Sequence, residues 1–138
     1  MIQQEAKLFF EQQTGQSADT FRALPQSGSE RINFIATSAG KKQIVTFNQN
    51  LRENEAFFYF SGLFSDLNLN TPEISAISTD RKIYIQEFLG EHTLSEIIAK
   101  EGLSDRVKAL VKLALEKLFA LQLATKDNFD VEKTFEYK

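Results

Sequence analysis

Residues 31–64, RINFIATSAGKKQIVTFNQNLRENEAFFYFSGLF, decide the fold. Ile32, Phe34 and Ala36 alternate with Asn33 and Ile35, the two-residue period of a strand. Ala39-Gly40-Lys41-Lys42 reads as a turn and Gln43 to Phe47 as the returning strand, which makes a β-hairpin. The period then changes. Leu51, Ala56, Phe57, Phe60, Leu63 and Phe64 recur at helical intervals. Asn50 suits the N-cap, with Glu53 three residues on as in a capping box.

Working outward, Phe21 to Leu24 predicts a short strand broken by Pro25, and Gln26-Ser27-Gly28-Ser29-Glu30-Arg31 a turn. Ile2, Ala6, Phe9 and Phe10 place an amphipathic helix over 2–13, with Gly15 as its stop. Downstream, Pro72 precedes a strand from Ile74 to Ile77. Thr79-Asp80-Arg81 turns it, Lys82 to Phe88 returns, and Leu89-Gly90 ends the strand. A short helix from Thr93 to Lys100 stops at Gly102, and Ser104 caps a long helix over about 105–124. Thr125 to Lys138 is polar and without period. Five strands with one helix inserted after the third predict an α+β fold, a five-stranded antiparallel sheet with a helix packed on it.

Composition narrows the function classes. A chain of 138 residues fits one domain, and its 42% hydrophobic content, with thirteen Phe, supplies a core. The net charge of −3 offers no basic stripe for nucleic acid. With no Cys, neither a disulfide framework nor a thiolate metal site can form. No His/Asp/Glu group has metal-site spacing, and the lone His92 reads as a surface residue. Glu5 and Lys7 interrupt the N-terminal apolar pattern, which therefore lacks a signal-peptide core, and no stretch approaches a membrane span. The expectation is a cytoplasmic protein with neither nucleic acid nor membrane as partner.

Three local sequences carry a resemblance: LPQSGSERINFIAT (24–37), ENEAFFYFSGLFSDLNLNTPEI (53–74) and IYIQEFLGEHTLSEII (83–98). In their order and spacing, over roughly residues 19–124, they resemble the aminoglycoside phosphotransferase and choline kinase family, whose fold is protein-kinase-like. The resemblance implies a nucleotide-binding small lobe with an N-terminal helix over residues 1–90. Residues 91–138 then begin a helical large lobe that stops short of the catalytic loop. It implies ATP and Mg²⁺ as cofactors, and transfer of the γ-phosphate to a hydroxyl of an aminoglycoside, sugar or choline-like substrate.

The resemblance also implies site residues. Ser27, Gly28 and Ser29 match the turn whose backbone N–H groups cover the phosphates; the same residues also suit an ordinary hairpin turn. Glu55 matches the helix glutamate that pairs with a strand-three lysine. Here the chain departs from the family, because Thr46 stands where that lysine is expected, and Arg31 is the candidate substitute cation. Gln86 matches the gatekeeper, and Glu87 C=O and Leu89 N–H the adenine-binding hinge.

The family's catalytic Asp, metal-binding Asn and metal Asp follow the long helix. The stretch DNFDVEK (127–133) contains Asp127 and Asp130 but neither H-x-D nor D-F-G. Two readings follow: the ATP-binding portion of a small-molecule phosphotransferase, or a non-catalytic binding module with a kinase small-lobe fold. The helix over 105–124 is apolar on more than one side, which implies an exposed apolar surface and a homodimer through it. On either reading the purified chain transfers no phosphate. Steady ATP turnover that a point change within residues 19–90 abolishes would overturn that expectation.

Overall fold

The computed structural model describes residues 1–26 and 28–134. In chain order it contains α1 (Ile2–Thr14), β1 (Thr20–Ala23), β2 (Ile32–Ser38), β3 (Lys41–Phe47) and α2 (Leu51–Asp66). It continues with β4 (Ile74–Ile77), β5 (Ile83–Glu87), α3 (Leu94–Glu101), α4 (Asp105–Thr125) and a 3₁₀ turn at Val131–Lys133. The strands form one antiparallel sheet in the order β1-β2-β3-β5-β4, so the fold is α+β. Two compact units divide the chain: Met1–Phe88 with the segment beginning at Glu132, and Leu89–Val131.

The central hairpin is tighter than its sequence suggests. Ala39 and Gly40 both take positive φ, 49° and 77°, and so form a two-residue turn whose twist matches its strands. Lys41 and Lys42, expected in the turn, instead open β3 opposite Ser38 and Thr37. Alternation along β2 is incomplete for a related reason. Phe34, Ile35 and Ala36 are all buried, so this strand is covered on both faces.

Strand register sorts the side chains into two unlike faces. Phe34, Val45 and Ile85 align across β2, β3 and β5, as do Ile32, Phe47 and Ile83. With Phe21, Ala36 and Ala76 they make an apolar face, onto which α1 packs through Ala6 and Phe10. Phe21 stacks on Phe34 with ring centroids 5.1 Å apart and leans on Phe10 at 6.5 Å. This face and α1 are the main core of the first unit.

The opposite face alternates polar with apolar. Its aligned rows are Asn33, Thr46 and Tyr84, then Ile35, Ile44 and Gln86. The helix α2 meets it through Phe57 and Phe58, which pack against the Tyr84 ring at 5.4 and 5.1 Å. The rims of the sheet are short. β1 has four residues, and β4 has four with a register shift between Ile74 and Ala76.

In the second unit, Thr93 and Glu96 complete a reciprocal capping box at the start of α3. The Ser104 hydroxyl accepts from Val107 N at 3.1 Å to start α4. Leu115, Leu118, Phe119 and Leu123 of α4 are exposed. Among the described residues no helix is long and apolar enough to cross a membrane.

Phe10 is 1% exposed at the centre of the apolar face. Truncation there removes a ring from a packed site that collapses only partly, so Phe10→Ala should cost about 3–5 kcal/mol. Urea unfolding should show a lower midpoint with an unchanged slope; a loss under about 1 kcal/mol would mean that α1 is not the core helix.

Candidate functional site

The mixed face of the sheet gathers most of the residues singled out from the sequence. Thr46 is fully buried, and its hydroxyl donates to Asn33 Oδ1 at 2.7 Å. It also accepts from Gln86 Nε2 at 3.0 Å. One hydroxyl thus links three adjacent strands. The strand-three position therefore contributes a neutral bridge and no charge.

The charge comes from the neighbouring row. Arg31, just before β2, pairs through Nη2 with Glu53 Oε1 at 2.8 Å. Its guanidinium also lies over the Phe57 ring, 5.3 Å from the centroid. Both partners are about a quarter exposed, at 26% and 22% of their side-chain surface. Arg31 Nε is buried and finds no acceptor among the described residues.

Glu53 rather than Glu55 is the acid facing the sheet. The N-cap explains the difference. Asn50 Oδ1 accepts from Glu53 N at 3.1 Å, as the sequence suggests. The reciprocal half of a capping box is absent, because Asn50 N donates instead to Asn48 Oδ1 at 3.0 Å. The Glu53 carboxylate is therefore free to turn to the sheet, where Oε2 accepts from Asn48 Nδ2 at 2.9 Å and Oε1 meets Arg31.

Glu55, two residues on, faces elsewhere, as residues i and i+2 of a helix do. It is paired with both Nε and Nη2 of Arg81, at the β4–β5 turn. The Arg81 hydrogen bond holds its carboxyl below the ordinary range. The pair is about half exposed, so solvent leaves it little net worth.

Gly28 has a φ of 60°, a left-handed conformation that glycine adopts without strain. Ser29 Oγ accepts weakly from Arg31 N at 3.4 Å, and Ser27 lies outside the described residues. Glu87 ends β5, and its carboxylate accepts from Glu73 N at 3.0 Å. Leu89 opens the second unit with 66% of its surface exposed. The fold thus brings Arg31, Thr46 and Gln86 onto one sheet face and leaves Glu55 outside it. Asn33 and Asn48 join that face without having been singled out, and so does Glu53, which the sequence marks only as a capping residue. Their signal was only their place on the polar phase of two strands and at a cap.

Tyr84 completes the site. It is fully buried against Phe57 and Phe58, and its hydroxyl has no partner of normal hydrogen-bond geometry among the described residues. Burial pushes its ionisation above the ordinary 10.0, with Arg31 and the neighbouring Thr46 hydroxyl pulling weakly the other way.

No group of three His, Cys, Asp or Glu side chains among the described residues could hold a metal ion, so the site as described does not fit Mg²⁺. A cavity of about 500 Å³ lies between α2 and β4, lined by Phe58, Ser61, Gly62, Ile74 and Ile77.

No protein-family model matches the chain, and no curated protein matches it.

Two substitutions separate the roles on this face. Thr46→Val removes the hydroxyl shared by Asn33 and Gln86 and should cost about 1–2 kcal/mol in denaturant unfolding. Tyr84→Phe removes a hydroxyl with no well-formed hydrogen bond among the described residues and should cost almost nothing at neutral pH. In alkali the two proteins diverge. The folded Tyr84 holds its proton longer than the unfolded chain does. Its contribution is therefore complete below the unfolded value near 10 and is lost as pH rises through the folded value. Wild-type stability should fall above that pH and Tyr84→Phe should fall less. Parallel alkaline curves would refute the assignment.

Proposed function

We propose that the chain is the nucleotide-binding portion of a cytoplasmic phosphotransferase. The reaction is transfer of the γ-phosphate of ATP to a hydroxyl of a small molecule such as an aminoglycoside, a sugar or a choline-like alcohol. The observation that carries this reading is the asymmetry of the sheet. One face is apolar and sealed by α1. The other combines a cation, Arg31, with the half-buried polar side chains of Asn33 and Gln86. A nucleotide needs that combination: apolar surface for its base, donors and acceptors for its edges, and positive charge for its phosphates.

The roles divide by row. Ile44, only half-buried, offers apolar surface to the base, beside Gln86. Arg31, next to the Gly28-Ser29 turn, faces the phosphates. The described residues hold no ligand set for Mg²⁺, and none of these roles depends on it.

A second reading, a non-catalytic module of the same fold, draws on Thr46. Its hydroxyl is already satisfied by Asn33 and Gln86 and cannot replace a lysine's charge.

The energetics favour weak binding. Two neutral hydrogen bonds to the base contribute about 0.5–1.5 kcal/mol net each. Association costs roughly 4–15 kcal/mol in lost freedom. The one cation beside the turn is already paired with Glu53. Calorimetric titration with Mg-ATP should give a weak but measurable dissociation constant, no tighter than about 1 mM, equivalent to about −4.1 kcal/mol. Adenosine should bind in the same weak range. Absence of any heat or spectral change with both ligands at several millimolar would overturn the reading.

A further inference from the structure

We propose that Glu53 competes with the ligand's phosphates for Arg31, so that a nucleotide enters by exchanging a carboxylate for a phosphate oxygen on one guanidinium. This rests on the nucleotide reading above and adds a built-in restraint to it.

Four features of the pair point to exchange. First, Arg31 is incompletely satisfied. It meets Glu53 through Nη2 at 2.8 Å, while Nε is buried without an acceptor among the described residues. A guanidinium offers five donors in a rigid fork, which the several oxygens of a phosphate fill better than one carboxylate oxygen does. Second, Arg31 keeps a contact when it lets go, because its guanidinium lies over the Phe57 ring. That face contact tolerates rotation within the plane of the fork.

Third, Glu53 keeps a partner too. Oε2 accepts from Asn48 Nδ2 at 2.9 Å, and Glu53 N stays bonded to the Asn50 cap. Separation therefore strands neither charge in the protein interior, the usual reason that a half-buried pair cannot open. Fourth, both side chains retain about a quarter of their surface in water, at 26% and 22%, so a charged ligand can reach them.

Charge sets the direction of the exchange. A triphosphate carries several negative charges against the single charge of Glu53, so it wins the guanidinium when bound. The lost pair is nevertheless subtracted from its affinity. Adenosine, which has no phosphate, does not incur this loss. Coupling is reciprocal: whatever Glu53 removes from phosphate affinity, phosphate removes from the Arg31–Glu53 pair.

The test uses the full chain with three probes: ATP, adenosine and inorganic tripolyphosphate. Glu53→Gln keeps an oxygen for Asn48 and removes the competing charge. It should tighten ATP and tripolyphosphate by about fivefold or more and leave adenosine unchanged. The gain should vanish in the Arg31→Ala, Glu53→Gln double variant. Unchanged or weaker phosphate affinity in Glu53→Gln, with adenosine still bound, would show that Glu53 positions Arg31 rather than competing for it. That outcome overturns the inference and leaves the nucleotide reading standing. Failure of all three probes on every variant removes both.

A measurement on the wild-type chain guards against loss of fold. The Arg31 Nε–H resonance should shift on saturation with tripolyphosphate as it gains an acceptor. A resonance unmoved at saturation would overturn the exchange.

Discussion

Asn54 Nδ2, inside a residue with no exposed surface, donates to the carbonyls of Asn48 and Arg81 at 2.9 Å each. Those carbonyls belong to the chain leaving β3 and to the turn between β4 and β5. One amide thereby fixes the first turn of α2 against two separate parts of the sheet margin. The placement of Glu53 beside Arg31, and of Phe57 and Phe58 against Tyr84, follows from that anchorage. The buried residues of α2 are Asn54, Ala56 and Ser61, two of them polar, so its hold on the sheet combines directional contacts with the packing of Phe57 and Phe58 on Tyr84. Directional contacts fix a position well but are costly to leave half made.

The sheet is therefore held by two kinds of cohesion. On the α1 side, Phe10, Phe34, Val45 and Ile85 form a close-packed layer whose stabilisation scales with the area removed from water. On the α2 side, a chain of polar contacts runs from Arg31 through Glu53 to Asn48, with Asn50 and Asn54 bonded to that same residue. The first face supplies the apolar cohesion of the first unit. The second gathers a cation and several hydrogen-bonding groups beside α2.

How far the sequence was readable follows from how local each cause is. The strand Ile74–Ile77 and the caps at Asn50, Thr93 and Ser104 depend on neighbours a few residues away, and their signals are in plain view. The Lys41-Lys42 pair looked like turn residues because its charge is typical of turns. The backbone reverses earlier because Ala39 and Gly40 both adopt positive φ. The choice between Glu53 and Glu55 lay beyond local reading. Both are acids on one helix, and only the distant Asn48, Arg31 and Arg81 decide which way each turns. The shared hydroxyl of Thr46 was likewise hidden, since a threonine in a strand needs no partner to explain it.

The rims of the sheet bear on how the protein meets copies of itself. An edge strand that is long and regular invites another chain to extend the sheet. Here β1 and β4 have four residues each, and the slip between Ile74 and Ala76 breaks the even ladder that an incoming strand would follow. Strand addition, the route to fibrous aggregates, is thus blunted at both margins. Among the exposed apolar side chains are several of α4, where Leu115, Leu118 and Phe119 stand on a helix whose own backbone bonds are closed. A helix surface of this kind presents side chains, and no unpaired backbone groups, to whatever packs on it.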